Sequence, residues 1–235
     1  MPNKYFRFKQ FTVWQSDATL KVSTDACILG AWTDVRSTRR ILDIGTGTGL
    51  LALMLAQHAP GVPIDAVEID AAACELAREN IRQSPFANQI QVIQIRIQEF
   101  EPGHRYELIV SNPPFFQASL RSPETARNRA RHADALTLPE LAEAVEKLLA
   151  PTGTFVVLLP ERETAQFDAL AAERSLYPAR RLVVRNAPGK SVFRVVSEYR
   201  RTAGVPTIEQ LLIRQLDGTY SEEFVALLKD YYLSF

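Results

Sequence analysis

Gly45-Thr46-Gly47-Thr48-Gly49 lies between the apolar run 39–44 (Arg-Arg-Ile-Leu-Asp43-Ile) and the helix-like stretch 50–58. Three glycines in five residues at a strand-to-helix junction constrain this chain more than any other feature. Such a turn must bend sharply and let backbone come close to a ligand, which glycine alone allows cheaply. The helix that follows points free N–H groups and its positive dipole end at that ligand. The same alternation recurs downstream. Residues 64–69 read as a second strand and 71–83 as a second helix ended by Ser84-Pro85. Residues 90–97 alternate Ile and Val with polar residues as a third strand, and 108–110 form a fourth.

Residues 139–149 carry Leu141, Ala144, Val145, Leu148 and Leu149 on one helical face. A strand at 155–159, a helix at 161–174 and a strand pair at 181–184 and 192–199 complete the pattern. Ahead of it, Phe6, Phe8, Phe11, Val13 and Trp14, then Leu20 and Val22, predict a hairpin turning at Gln15-Ser-Asp17. Ser23-Thr24-Asp25 caps a short helix over 26–32. Strands alternating with helices imply an α/β fold, Rossmann-like, with a seven-stranded and mostly parallel sheet. An antiparallel edge strand, helices on both faces and an N-terminal hairpin extension complete the expected architecture. One domain is expected over 1–235: hairpin and helix 1–38, core 39–201, and an extension 202–235 docked on the core.

Composition sets limits on function. With 27 basic and 27 acidic residues the formal charge is zero, so affinity for nucleic acid must come from local patches. Two cysteines without CxxC spacing and three histidines argue against a disulfide scaffold and against a metal site. No apolar run approaches membrane-spanning length, and the N-terminus lacks a signal-peptide core. A reduced, cytoplasmic, monomeric protein is expected.

Two further features give the loop its chemistry. The spacing is Gly-x-Gly-x-Gly, and Leu50 stands where a dinucleotide fingerprint wants glycine, which disfavours NAD. Glu68, at the end of the second strand, lies where an acid can grip a ribose diol, with Asp70 as the alternative. The run Leu108-Ile109-Val110 then delivers Asn112-Pro113-Pro114-Phe115 to the carboxyl end of its strand, the edge where open α/β sheets bind ligands. Two prolines remove N–H donors and leave their carbonyls free to accept. Asn112 adds an acceptor and Phe115 a flat apolar face, a set suited to a planar group carrying NH2, such as adenine.

Residues 43–49, Glu68 and the Asn112–Phe115 tetrad resemble the defining motifs of class I S-adenosylmethionine-dependent methyltransferases of the amino-methylating type. The likeness covers roughly residues 24–160. Further segments resemble the bacterial tRNA(Val) adenine-N6 methyltransferases: Phe8 to Val13, Ser23 to Asp25, Leu29 to Trp32, Ala130 to His132, Glu222 to Phe224 and Tyr231 to Leu233. The resemblance implies that Asp43, Gly45, Thr46, Gly47 and Gly49 hold the methionine part of S-adenosylmethionine. It implies Thr24 and Asp25 near the donor's amino-acid end, and Glu68 and Ile69 at its ribose. Many relatives carry an acid after the third strand; here Arg96-Ile97-Gln98 occupies that place, so Ile97 and Gln98 are the candidates for the adenine end.

For substrate, the resemblance implies tRNA, at the adenine beside the anticodon. Arg121, Arg127, Arg129, Arg131 and His132, directly after the tetrad, are the expected RNA contacts. Arg180, Arg181, Arg185, Lys190, Arg194, Arg200 and Arg201 form a second cationic stretch, and Lys4, Arg7 and Lys9 a third. A protein-glutamine N5 methyltransferase remains an alternative, although its relatives usually have Tyr at Phe115. A cofactor-binding module without catalysis is a third reading, against which Asn112 argues.

Overall fold

The computed structural model describes residues 4–15, 21–113 and 136–235. Pro114, Phe115, Arg121, Arg127, Arg129, Arg131 and His132 therefore lie outside the described residues. In chain order the elements are β1 (Tyr5–Arg7), β2 (Thr12–Trp14), α1 (Thr24–Trp32), β3 (Ile41–Ile44), α2 (Leu50–His58), β4 (Ile64–Glu68), α3 (Ala71–Arg82) and β5 (Ile90–Gln94). There follow β6 (Tyr106–Ser111), α4 (Leu138–Leu148), β7 (Leu149–Leu159), α5 (Glu161–Ala172), β8 (Tyr177–Arg185), β9 (Val192–Arg200), β10 (Thr207–Leu212) and α6 (Glu222–Leu228).

The main sheet has the order β10-β8-β9-β7-β6-β3-β4-β5. All neighbours are parallel except β9, which runs against both β7 and β8. From β3 the chain steps outward through β4 and β5, then returns to place β6 on the other side of β3. That reversal opens a crevice at the carboxyl ends of β3 and β6, the position where such sheets take ligands. Apolar layers cover both faces. Ile28, Leu53, Leu55 and Phe224 belong to one, and Leu141, Val145, Phe155 and Phe167 to the other.

The sheet has eight strands rather than the expected seven. Thr207–Leu212, read from sequence as part of a docked extension, pairs in parallel with β8 from Thr207↔Arg180 to Leu212↔Arg185. It follows that the reversed strand lies inside the sheet and not at its edge. The hairpin also turns earlier than expected, at Phe8–Phe11, where the Phe8 amide donates to the Phe11 carbonyl (2.8 Å). Phe8 and Phe11 stack at 4.6 Å and are both buried, because this turn packs inward against the C-terminal residues. The Lys9 amide donates to the Tyr231 carbonyl, and Phe8 bridges Tyr232. The third strand stops at Gln94, and Ile97–Glu99 forms a 3-10 turn that buries Ile97. Among the described residues no helix is long and apolar enough to cross a membrane.

Much of the second cationic stretch holds the sheet together. Arg180 reaches Glu198 on β9 (3.3 Å) and Glu209 on β10 (3.1 Å), with its guanidinium 4.4 Å over the Trp32 ring. Arg181 pairs with Asp168, which also accepts from the Tyr199 hydroxyl. Glu198 is buried and also meets Arg200 at 2.7 Å. Glu198→Ala should cost about 1.5–3 kcal/mol, the range of a hydrogen bond to a charged group. The larger loss of a fully enclosed pair is not expected, since the Arg180 and Arg200 side chains are 32% and 51% exposed. Chemical denaturation measures it, and an unchanged midpoint would refute it.

Candidate active site

Gly45, Gly47 and Gly49 all have left-handed backbone, with φ of 75°, 56° and 81°. A side chain at Gly49 would meet Ile81 Cδ1 at 3.4 Å, so here the glycine answers both to backbone and to packing against α3. At Gly45 and Gly47 an added Cβ would meet nothing within 4 Å, so the loop faces open space there. The Gly45 and Thr46 amides donate to the Val67 carbonyl (2.9 and 3.1 Å), which ties the loop to the end of β4. Gly49 caps α2 without a side-chain hydrogen bond of its own, and the buried Asp43 carboxyl meets the Ala52 backbone in the first turn of that helix.

Glu68 leaves β4 facing this loop. Its Oε2 accepts from the Gly47 amide (2.9 Å), and its Oε1 accepts from the Ile69 and Asp70 amides (2.9 and 3.0 Å). Asp70 is committed to the N-cap of α3, accepting from the Ala73 amide at 2.8 Å. Of the two acids, Glu68 is therefore the one aimed at the glycine loop. Ile69 is 36% exposed beside it, an apolar face at the rim. Gln98 lies exposed on the 3-10 turn, with its side chain against the Glu140 carboxylate.

Asp43 sits beneath the loop and has no exposed surface. Its Oδ2 accepts from the Thr46 hydroxyl (2.6 Å), and its role is to hold the loop from below. Burial pushes its carboxyl up from 3.8 to about 7, against the Thr46 hydrogen bond, and the charge of Glu68 adds to the rise. The unfolded chain thus loses this proton near pH 3.8, while the folded protein keeps it until about pH 7. Over that window the folded state binds more protons, so this group's contribution to stability falls as pH rises and levels off above the window. The unfolding free energy of wild type minus that of Asp43→Asn should therefore decline across the window. A flat difference in denaturation experiments at several pH values would contradict this.

Asn112 follows β6, whose end is fixed against β3 by the register Ile44↔Ser111 and by the Ser111 hydroxyl donating to the Ile44 carbonyl (2.9 Å). Asn112 is consequently the neighbour of Gly45 across the two strand ends. Its Oδ1 is buried and has no hydrogen-bond partner among the described residues. Leaving such an acceptor unpaired costs about 1–3 kcal/mol, and a native structure that does so calls for a reason. An oriented acceptor waiting for a donor from a ligand is such a reason. Pro113, also buried, supplies no N–H that could fill it.

The β3, β4 and β6 ends thus bring together Gly45, Gly47, Glu68 and Asn112. Thr24 and Asp25 occupy the first turn of α1, where Ser23 is the cap. Asp25 is buried and pairs with Arg194 Nε on β9 (3.1 Å), on the side of α1 that meets β9. Asn80 escaped the sequence reading. It is fully buried on α3; its Oδ1 accepts from the Trp14 amide (2.8 Å), and its Nδ2 donates to the Trp14 and Thr48 carbonyls (3.1 and 2.9 Å). One side chain thereby joins the N-terminal hairpin to the glycine loop. The available signal was an asparagine on the apolar face of an amphipathic helix, in line with Ala73 and Ala77.

Comparison with known proteins agrees with this geometry. Residues 21–158 match the family described as the methyltransferase small domain. A protein of Parabacteroides distasonis named tRNA1(Val) (adenine(37)-N6)-methyltransferase is 46% identical over 99% of both chains. One of the same name from Tolumonas auensis is 45% identical over 97% of this chain and 96% of its own. Among solved structures, one described as a predicted O-methyltransferase from Agrobacterium tumefaciens superimposes with a TM-score of 0.67 at 14% identity, covering 88% of this chain and 96% of its own. A methyltransferase from Pyrococcus furiosus gives 0.57 at 16% identity, over 82% and 90%. At these identities the structural matches establish the fold, whereas the sequence matches span the whole chain. The chain belongs to the methyltransferase small domain family and, within it, to the group of proteins named tRNA1(Val) (adenine(37)-N6)-methyltransferase.

Proposed function

We propose that this protein methylates the exocyclic N6 amino group of adenine 37 in tRNA1(Val), with S-adenosylmethionine as donor, acting as a single chain in the cytoplasm. The observation that carries the reading is the buried Oδ1 of Asn112, without a partner among the described residues, beside the open side of the glycine loop. When bound, S-adenosylmethionine supplies a methyl group on a cationic sulfur that is open to in-line displacement. Gly45 to Gly49, with Glu68 and Ile69 at the ribose, would hold it, and Ile97 and Gln98 would border its adenine. Thr24 and Asp25 would lie toward its amino-acid end.

The amino nitrogen of adenine is a weak nucleophile because its lone pair is delocalised into the ring. Asn112 Oδ1 and the Pro113 carbonyl accept its two hydrogens, which draws the nitrogen toward a tetrahedral shape and turns the lone pair outward. The barrier falls through positioning and fixed dipoles. The nitrogen can release its proton after transfer, so no strong base is required of the protein. Phe115 supplies a stacking face worth about 1–3 kcal/mol per base. Pro114 belongs to the same tetrad, and Arg121, Arg127, Arg129, Arg131 and His132 are the residues proposed to bind the RNA backbone. Such a base must first leave its stack, which an anticodon loop permits.

The test is to incubate the purified protein with labelled donor and, separately, tRNA1(Val), duplex DNA and a peptide release factor. Label in tRNA, recovered as N6-methyladenosine at position 37, is expected. Label in the release factor alone would overturn the reading.

A further inference from the structure

A cleft of about 630 Å³ opens elsewhere on the same sheet edge, between the end of β7, the β8–β9 turn and the residues just after β10. Glu161, Asn186, Lys190, Phe193, Arg194 and Arg214 are among its lining residues. Three cations face one carboxylate, so the cleft favours an anion. Its volume falls within the ~300–1,000 Å³ of small-molecule sites, larger than a lone ion needs.

The cations are presented in different ways. Arg214 is held in place, its guanidinium 4.3 Å over the Tyr220 ring and Nη1 donating to the Gly218 carbonyl (2.6 Å). A guanidinium has five N–H donors, so this anchoring leaves others for a ligand. Arg194 lies 4.4 Å over the Phe193 ring while pairing with Asp25. Lys190 is exposed at the end of the turn after Gly189, which has φ of 72°, and its ammonium makes no ion pair among the described residues. Arg180 and Arg200 of the same cationic stretch are engaged in ion pairs within the sheet, and Arg181 in one with Asp168 on α5. Arg185 donates to Gln210 and Arg201 to the Glu146 carbonyl, so among the described residues Lys190 is the charge of that stretch whose side chain holds no other element.

Position decides the ligand. The register Ser111↔Val157 continues to place Asn112 level with Leu158, which pairs with Val196 on β9. Two strand spacings, roughly 10 Å, thus separate Asn112 from Val196, and the cleft-lining Arg194 and Val192 lie about 7 and 13 Å further along β9. A polynucleotide that delivers a base to Asn112 passes this edge with its backbone. We propose that the cleft binds the sugar-phosphate of a nucleotide flanking the target adenine in single-stranded RNA, with Lys190 and Arg214 on the phosphate and Phe193 as the apolar wall. The inference rests on the RNA adenine methylation proposed above.

The test compares wild type with Lys190→Ala and Lys190→Glu on the anticodon stem-loop of tRNA1(Val). The KM for RNA should rise about tenfold in Lys190→Ala, the loss of one hydrogen bond to a charged group, and further in Lys190→Glu. The kcat, the affinity for S-adenosylmethionine and the melting temperature should stay at wild-type values. The slope of log KM against log salt should become shallower by about 0.7, one phosphate contact on a single strand. Stem-loops with a neutral methylphosphonate at one or the other phosphate flanking adenine 37 supply the partner half. One of them should raise the wild-type KM by the same factor and add nothing in Lys190→Ala. Wild-type KM and salt slope in both variants would overturn the cleft assignment while methylation of RNA stands. Transfer by wild type to protein but to no RNA would overturn the activity and the cleft together.

Discussion

Asn112→Ala should bind S-adenosylmethionine as wild type does and turn over slower by a factor on the order of 10²–10³, the loss typical when one preorganised polar group at a reacting centre is removed. The reason lies in where Asn112 sits. Its Oδ1 is buried without a partner among the described residues, at a strand end locked to β3 by the Ser111–Ile44 hydrogen bond. Truncation removes an acceptor that no described group uses, so the fold has little to lose, and relief of an unpaired buried polar group works in favour of stability. The expected signature is a large fall in kcat with an unchanged or slightly raised melting temperature. Calorimetric titration with the donor, alongside single-turnover kinetics, separates the effects. Full turnover by the variant would remove Asn112 from the mechanism.

Glu68→Ala should give the opposite pattern. Its carboxylate takes three backbone amides, from Gly47, Ile69 and Asp70, and so fixes the loop to the end of β4, besides the ribose contact proposed for it. Loss of a hydrogen bond to a charged group costs about 1.5–3 kcal/mol, which corresponds to a rise of roughly 10–100-fold in the dissociation constant of S-adenosylmethionine. At saturating donor the kcat should recover to within a few-fold of wild type. Equilibrium titration checks the first expectation and saturation kinetics the second. Unchanged donor affinity would move the ribose contact to another residue.

The two strongest site features were legible because they are local. A glycine loop between strand and helix, and an Asn-Pro-Pro run leaving a strand, announce their geometry through neighbours in sequence. Glu68 was legible for the same reason, as the last residue of an apolar run. What sequence missed depends on partners far along the chain. Asn80 meets Trp14 and Thr48, and Asp25 meets Arg194, pairs that no periodicity encodes. Arg180 belongs to a cationic stretch in sequence, and its partners Glu198 and Glu209 lie far along the chain on neighbouring strands. β10 was read as a docked segment because its burial alternates weakly, with Leu211 buried while Ile208 is half-exposed at the sheet's edge. The hairpin was displaced because its turn carries two buried phenylalanines, in a place where a solvent-facing turn would carry polar residues.

The most direct test of the central claim is a crystal structure with S-adenosylhomocysteine and an RNA stem-loop carrying the target adenine. The adenine N6 should lie within hydrogen-bond distance of Asn112 Oδ1, about 2.7–3.2 Å, with the Pro113 carbonyl as its second acceptor. An amino group held by other residues, with Asn112 turned away from it, would contradict the account.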